Sequence, residues 1–161
     1  MGQNRSIEDE FWEYAGEIYR RDGVSRILLD WQDQHAANVN AVLLCLWAAH
    51  RGRALSASDC AALQSAVAGW HAAAVVPLRN LRGRMKADWS DLAPGYEKVR
   101  QAVFDAEMAA ERAEQAAMIR ALAPWPNLGG TASCHLARQN VLSYLETADT
   151  AALADLLTLI G

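Results

Sequence analysis

Apolar residues recur at three- and four-residue steps along most of this chain, which is the spacing of one face of an α-helix. The first such segment follows Ser6, a residue type that caps helix N-termini, and it ends before Asp22-Gly23. No stretch alternates apolar and polar residues as a half-buried strand does, so the pattern predicts helices throughout. The second predicted helix runs from Val24 to His35, with apolar side chains at Val24, Ile27, Leu28 and Trp31.

The third segment differs because it is apolar all round. Val42 to Ala49 contains no polar residue, and a helix without a polar face is buried. We therefore predict a buried central helix over about 39–50, capped by Asn38 or Asn40. The corner before this helix concentrates polar residues next to the predicted core: Asp33, Gln34, His35, Asn38 and Asn40.

A proline interrupts the next segment, which covers about 58–87. Pro77 removes one helical hydrogen bond and clashes with the preceding turn, so we predict either one kinked helix or two consecutive helices. Ser58 with Asp59 is the predicted cap of this segment. Trp70 falls on its predicted inward face and is expected in the core.

The remaining pattern predicts three more helices. After a loop at 88–95, a long helix covers about 95–122. Pro124 to Gly130 is the clearest breaker in the chain, and two short helices follow at about 132–147 and 150–160. The fold class is thus all-α, a single domain over 1–161 built as a bundle of six or seven helices around the central one. The inner stripe of the long helix is predicted to be Val99, Val103, Ala106, Ala110, Ala113 and Ala117.

Composition supports a globular protein and narrows its class. The 161 residues are 52% hydrophobic and 21% charged, which suits one domain with a real core. The net charge of −4 argues against nucleic-acid binding, and the N-terminus has no pattern of a secretory signal. No uninterrupted apolar run approaches the roughly 18–20 residues that span a bilayer, so we expect no membrane association. The three cysteines are widely spaced and odd in number, which is typical of reduced thiols in the cytoplasm.

Two interpretations of the polar corner stay open. Asp33, His35, Asn38 and Asn40 could line a ligand pocket, with Asp33 orienting His35. Alternatively, the asparagines satisfy backbone groups at a helix-helix corner, which is the interpretation that we favour. An Asp-x-His pair without a nucleophile is weak evidence for an enzyme, and the chain has no zinc or di-iron ligand pattern. We expect no metal and no cofactor.

Charge and aromatic residues mark candidate interfaces. Arg79, Arg82 and Lys86 share a helix face, where they could bind a phosphate or an acidic partner. The glutamates at 107, 111 and 114 share a face of the long helix, and the favoured interpretation is two solvated faces opposite each other across the bundle. Trp89 and Trp125 lie in predicted loops beside prolines, which makes them candidates for contact with a partner.

The chain also resembles an uncharacterised proteobacterial helical family, one of the domain-of-unknown-function families. The likeness rests on Trp31-Gln32-Asp33, Val39-Asn40 and the aliphatic run from Leu43 to Trp47. The segment from Val75 to Lys86 and the segment 137–145 are similar to later parts of that family. The resemblance implies a small cytoplasmic helical protein and supplies no activity.

We therefore expect a non-enzymatic binding or regulatory module in the cytoplasm that acts through a helical surface on a protein partner. The alternative is a small-ligand pocket or enzyme centred on Asp33, His35 and Asn40. The identity of the partner is not encoded in any motif, and self-association is left open.

Overall fold

The protein is all-α, as predicted. The computed structural model describes residues 5–89, 94–125, 133–146 and 148–161, and no strand occurs within these ranges. The helices begin and end as follows: α1 Ile7–Tyr19, α2 Val24–His35, α3 Val39–His50, α4 Ala57–Trp70, α5 Val76–Asp88, α6 Tyr96–Ala121, α7 Cys134–Tyr144 and α8 Thr150–Ile160. Most of the predicted breaker, at 126–132, lies outside the described residues, as do the loop residues 90–93 and residue 147.

Helix α3 is the centre of the bundle, which confirms the buried helix predicted over 39–50. Every residue from Val39 to Ala49 is buried. Asn38 caps the helix, and its side-chain oxygen accepts from the backbone of Asn40 at 2.9 Å. α1, α2, α6 and α7 pack around α3, so its apolar residues meet a neighbour on every side.

The segment around Pro77 is one continuous helix. A π-helical turn, His71–Val75, joins α4 to α5, so Ala57–Asp88 forms a single helix and the described residues contain seven helices. The amide of Val76 donates to the carbonyl of His71, five residues back. Pro77 has no amide hydrogen to continue this pattern, and the wider turn gives its ring room beside the preceding carbonyls.

The same helix is unusually exposed and apolar. Ser56, not the predicted Ser58, caps it, through a reciprocal pair of hydrogen bonds with Asp59. Within the described ranges, Ala57–Asp88 is the one helix that is long and apolar enough to cross a membrane by length and composition, and only 17% of its most apolar window is buried. The sequence analysis considered only uninterrupted apolar runs and therefore did not identify the length and apolar composition of this helix. Trp70, predicted in the core, is 47% exposed.

Helix α6 buries a face that the sequence analysis placed only in part, since Ala110 is buried as predicted. Val99, predicted inward, is 55% exposed, and Ala106 and Ala113 are also exposed. The buried face lies further round the helix and contains three long polar side chains, which position the site described below. Its members are Tyr96, Glu107, Ala110, Glu114, Gln115, Met118 and Ile119.

Candidate functional site

A cleft of about 580 Å³ lies between α1, α2, α3, α5 and α6. Its position follows from the packing: α1 and α6 both contact α3, while α5 contacts α6, and the space between these helices is only partly filled. Cavities of this size are typical of small-molecule sites. The walls are largely apolar, with contributions from Trp12, Tyr19, Leu29, Leu43, Phe104 and Met108.

Two arginines of α5 reach into the cleft and pair with glutamates of α6. Arg79 donates to Glu111 at 2.7 Å, and its Nε lies 3.7 Å from Glu107. Arg82 donates to Glu107 through Nε and through Nη2, the latter at 3.1 Å. Glu107 is only 1% exposed, and this bidentate arginine provides a hydrogen bond to each of its two carboxylate oxygens.

Burial and hydrogen bonding shift the pKa values of three side chains that line the cleft. Desolvation raises the pKa of Glu111, and the hydrogen bond from Arg79 offsets part of that effect. The hydrogen bond to Glu107 raises the pKa of Arg82. Desolvation also raises the pKa of Tyr19. The arginines and glutamates contributed by α5 and α6 are therefore paired with each other in the cleft, and Tyr19 is a neutral phenol.

A buried polar cluster lies behind the inner wall, centred on Glu114. This carboxylate is 0% exposed, and it accepts from the side-chain amides of Asn38 at 3.0 Å and of Asn40 at 2.8 Å. The third contact is with Nδ1 of His71, 2.7 Å away. This nitrogen also lies 3.1 Å from the amide nitrogen of Asn38, and the shorter contact, with the carboxylate, assigns the proton to Nδ1 of His71.

The order of donors and acceptors in this cluster leaves one atom without a partner. The side-chain amide of Asn40 donates to Glu114, and its side-chain oxygen accepts from Nε2 of Gln115 at 2.9 Å. Gln115 is 4% exposed, and its Oε1 is buried without a hydrogen-bond partner. Both Asn40 and Gln115 belong to the lining of the cleft. An unpartnered buried acceptor of this kind needs an explanation.

The predicted ligand residues are divided by the fold. Asn38 and Asn40 enter the cluster around Glu114, where Asn38 also caps α3. Asp33 is exposed and His35 is half-buried, both at the end of α2. Asn38 thus has the capping role, whereas Asn40 lines the cleft.

The predicted interface residues are divided as well. Arg79 and Arg82 lie in the cleft, whereas Lys86 is exposed and Trp89, at the end of α5, is 47% exposed. Trp125 packs against the core: its ring lies 4.8 Å from that of Trp47, centroid to centroid, and its N–H donates to the carbonyl of residue 119.

Sequence reasoning missed the residues that give the site its polarity. Glu107 and Glu114 were expected on a solvated face, and His71 and Gln115 were not singled out. The glutamates at 107 and 111 are four residues apart and the arginines at 79 and 82 are three apart, so each pair shares a helix face. That matched spacing was the available signal for two charged faces in contact.

The arrangement suits binding by shape and hydrogen bonds. Among the described residues, no group of three His, Cys, Asp or Glu side chains is placed to hold a metal ion. The cleft offers aromatic and aliphatic walls, two arginines held in place by carboxylates, and the amide pair of Asn40 and Gln115.

The part of the chain that contains this site matches a known protein family. The model of one protein family, described as a protein of unknown function (DUF2390), matches residues 10–118. That range contains most of α1, all of α2 to α5 and most of α6, so it includes the whole lining of the cleft. No curated protein and no solved structure matches the chain.

Proposed function

We propose that this chain, which belongs to the DUF2390 family of proteins of unknown function, binds a small, largely apolar molecule in the cleft between α1 and α6. The observation that carries the proposal is the cleft itself, about 580 Å³ in volume, with largely apolar walls and a few fixed polar groups. A cavity of this size and composition is the usual form of a small-molecule site.

The experiment uses a glycine in the wall. Gly16 lines the cleft from within α1, and a Cβ at this position would meet only the mobile end of Arg20, at 3.1 Å. Gly16→Leu therefore fills the cleft without disturbing the core. The change should even stabilise α1 by about 0.5–1 kcal/mol, because glycine is a poor helix former.

The probe is N-phenyl-1-naphthylamine, a neutral dye whose fluorescence rises in apolar surroundings. The native protein is expected to bind it, and Gly16→Leu is expected to weaken its affinity by about tenfold or more. Gly83→Leu is the matched control, because Gly83 is an exposed helical glycine with open space around it, and it should bind like the native protein. Equal affinity in all three proteins, or no binding by the native protein, would contradict the proposal.

As a second candidate function, we propose that the expected protein partner is a second copy of this chain. Helix Ala57–Asp88 has no Asp, Glu, Lys or Arg from Cys60 to Leu78, and Trp70 is 47% exposed on it. A two-fold interface pairs one patch with itself, and a patch without such charges does so without repulsion. A contiguous apolar surface that is exposed, as on this helix, is typical of a site of contact with another molecule.

Sedimentation equilibrium tests this second candidate. The native protein is expected to dimerise, and Ala68→Glu, which places like charges across the two-fold axis, should shift it to monomer. Ala102→Glu is the control, since Ala102 is exposed on α6. A native protein that is monomeric at high concentration contradicts the dimer, and binding of that monomer to phosphatidylcholine vesicles would assign the helix to a bilayer instead.

A further inference from the structure

The rim of the cleft carries an arginine whose charge is not compensated. Arg20 is exposed, and it lines the cleft from the C-terminal end of α1. Its guanidinium lies over Gly16, with Nη1 3.1 Å and Nη2 3.7 Å from the point where a Cβ on Gly16 would stand. Because Gly16 also belongs to the lining, the guanidinium lies at the wall of the cleft and remains accessible there.

The acidic side chains near Arg20 already have other partners. Every glutamate of the lining pairs with a different arginine: Glu13 with Arg5, Glu107 with Arg82 and Glu111 with Arg79. Glu17, one turn before Arg20 on α1, pairs with Arg21. Among the residues that the structure describes, Arg20 is therefore the lining arginine without an acidic partner. A single anionic group of a ligand would complement this charge.

We propose, resting on the ligand-binding function above, that the cleft takes a carboxylic acid with an apolar body, and that its carboxylate pairs with Arg20 at the rim. The planar guanidinium matches a carboxylate, to which it can donate two parallel hydrogen bonds. An ion pair at the rim stays partly in water, so its charged groups keep much of their hydration.

The deeper part of the cleft suits the apolar body and not the carboxylate. Its walls are largely apolar, and Arg79 and Arg82 already hold glutamates there. An anion at this depth would have to displace one of these half-buried or buried glutamates and leave it unpaired. The ligand is therefore oriented with its apolar body inside and its carboxylate at Arg20.

Three naphthalenes with the same apolar body test the proposal on the intact protein at neutral pH. They are 2-naphthoate, which is an anion, 2-naphthamide, which is its neutral isostere, and 2-naphthylmethylamine, which is a cation. By calorimetric titration at low salt, we expect 2-naphthoate to bind about fivefold tighter than 2-naphthamide, the upper value for a partly exposed ion pair. The amine should bind most weakly. In about 1 M sodium chloride the ratio of the first two affinities should fall, because salt screens an exposed charge.

Two substitutions that each remove one arginine locate the carboxylate. Arg20→Met keeps an unbranched side chain without the charge, so 2-naphthoate and 2-naphthamide should bind it equally. The substituted residue is exposed, so this variant should fold like the native protein. Arg120→Met is the matched control, because Arg120 is exposed in the last turn of α6, lies outside the lining and forms no ion pair with another described residue. This control should keep the preference of the native protein for 2-naphthoate.

The possible failures of the inference and of the ligand-binding function can be told apart. Equal affinity of the native protein for 2-naphthoate and 2-naphthamide, or a preference for 2-naphthoate that Arg20→Met retains, overturns the inference about the carboxylate. If Gly16→Leu still weakens the binding of 2-naphthamide in that case, the cleft stands as the site. Unchanged binding of the naphthalenes by Gly16→Leu, or no binding of any of the three by the native protein, overturns the ligand-binding function and the inference with it.

Discussion

The hydrogen bonds that the buried carboxylate of Glu114 accepts can be tested by replacing one of its oxygens. Glu114→Gln keeps the shape of the side chain and replaces one oxygen by an NH₂ group. The native oxygens accept from Asn38 and His71 on one side and from Asn40 on the other. The introduced amide satisfies most donors when its oxygen faces Asn38 and His71. Its nitrogen then faces the amide nitrogen of Asn40, 2.8 Å from the replaced atom, and two donors oppose each other.

The expected loss of stability is about 3 kcal/mol. Two hydrogen bonds change from a charged to a neutral acceptor, which costs roughly 1 kcal/mol each. The unsatisfied donor at Asn40 adds about 1–3 kcal/mol. Relief from burying a charge at a position that is 0% exposed offsets part of this sum. For a chain of this length, the melting temperature should fall by about 6–12 °C.

Urea denaturation followed by circular dichroism measures this loss, and a second substitution tests its cause. In the double variant Glu114→Gln/Asn40→Asp, the introduced amide at position 114 donates to the introduced carboxylate at position 40. The net charge is unchanged and one hydrogen bond is reversed. The double variant should recover about half of the lost stability. A single variant that loses less than about 0.5 kcal/mol, or a double variant less stable than the single one, would refute the assigned order of donors and acceptors.

Three further predictions concern other parts of the fold. Asn140→Ala should lower the free energy of unfolding in urea by about 3 kcal/mol, because the native side chain satisfies three buried backbone groups; a loss below about 1 kcal/mol would contradict this. In the folded protein, Ellman's reagent should titrate Cys134 alone, since it is exposed while Cys45 and Cys60 are buried, and reaction of a second thiol at a similar rate would show the core to be open. Burial raises the pKa of Tyr14 from 10.0 to about 12, so the folded state favours the neutral phenol. That stabilisation is complete below pH 10 and is lost as the pH rises toward 12, and Tyr14→Phe should show a smaller loss over this range in chemical denaturation.

Most of the fold could be predicted because its signals are local. Helix α2 spans the residues that periodicity assigned to it, and α3 is buried because its sequence lacks a polar face. The prediction was right only in part for the inner stripe of α6, where Ala110 is buried but Ala113 is exposed while Glu114 is buried. Periodicity shows that a face exists, but partners on other helices decide whether a glutamate on it can be buried.

The candidate site could be predicted only in part, for the same reason. Asn38 and Asn40 were identified because their position before an apolar helix is visible in sequence. Their acceptor, Glu114, is more than seventy residues away along the chain, as the separations of 76 and 74 residues show. The cleft itself arises from the packing of five helices, and neither its volume nor the free oxygen of Gln115 has a local signature.

The π-helical turn His71–Val75 makes the cleft sensitive to the width of one helical turn. A turn of this kind contains one residue more than an α-helical turn, and each residue of an α-helix rotates the chain by about 100°. The wide turn therefore absorbs the extra residue, and tightening it to an ordinary α-helix with every residue kept would turn the side chains of α5 by that angle about its axis. Arg79 and Arg82 would then point away from α6, and the glutamates that they hold would be left unpaired. The charge balance of the cleft thus depends on the wide turn in the helix that leads to it.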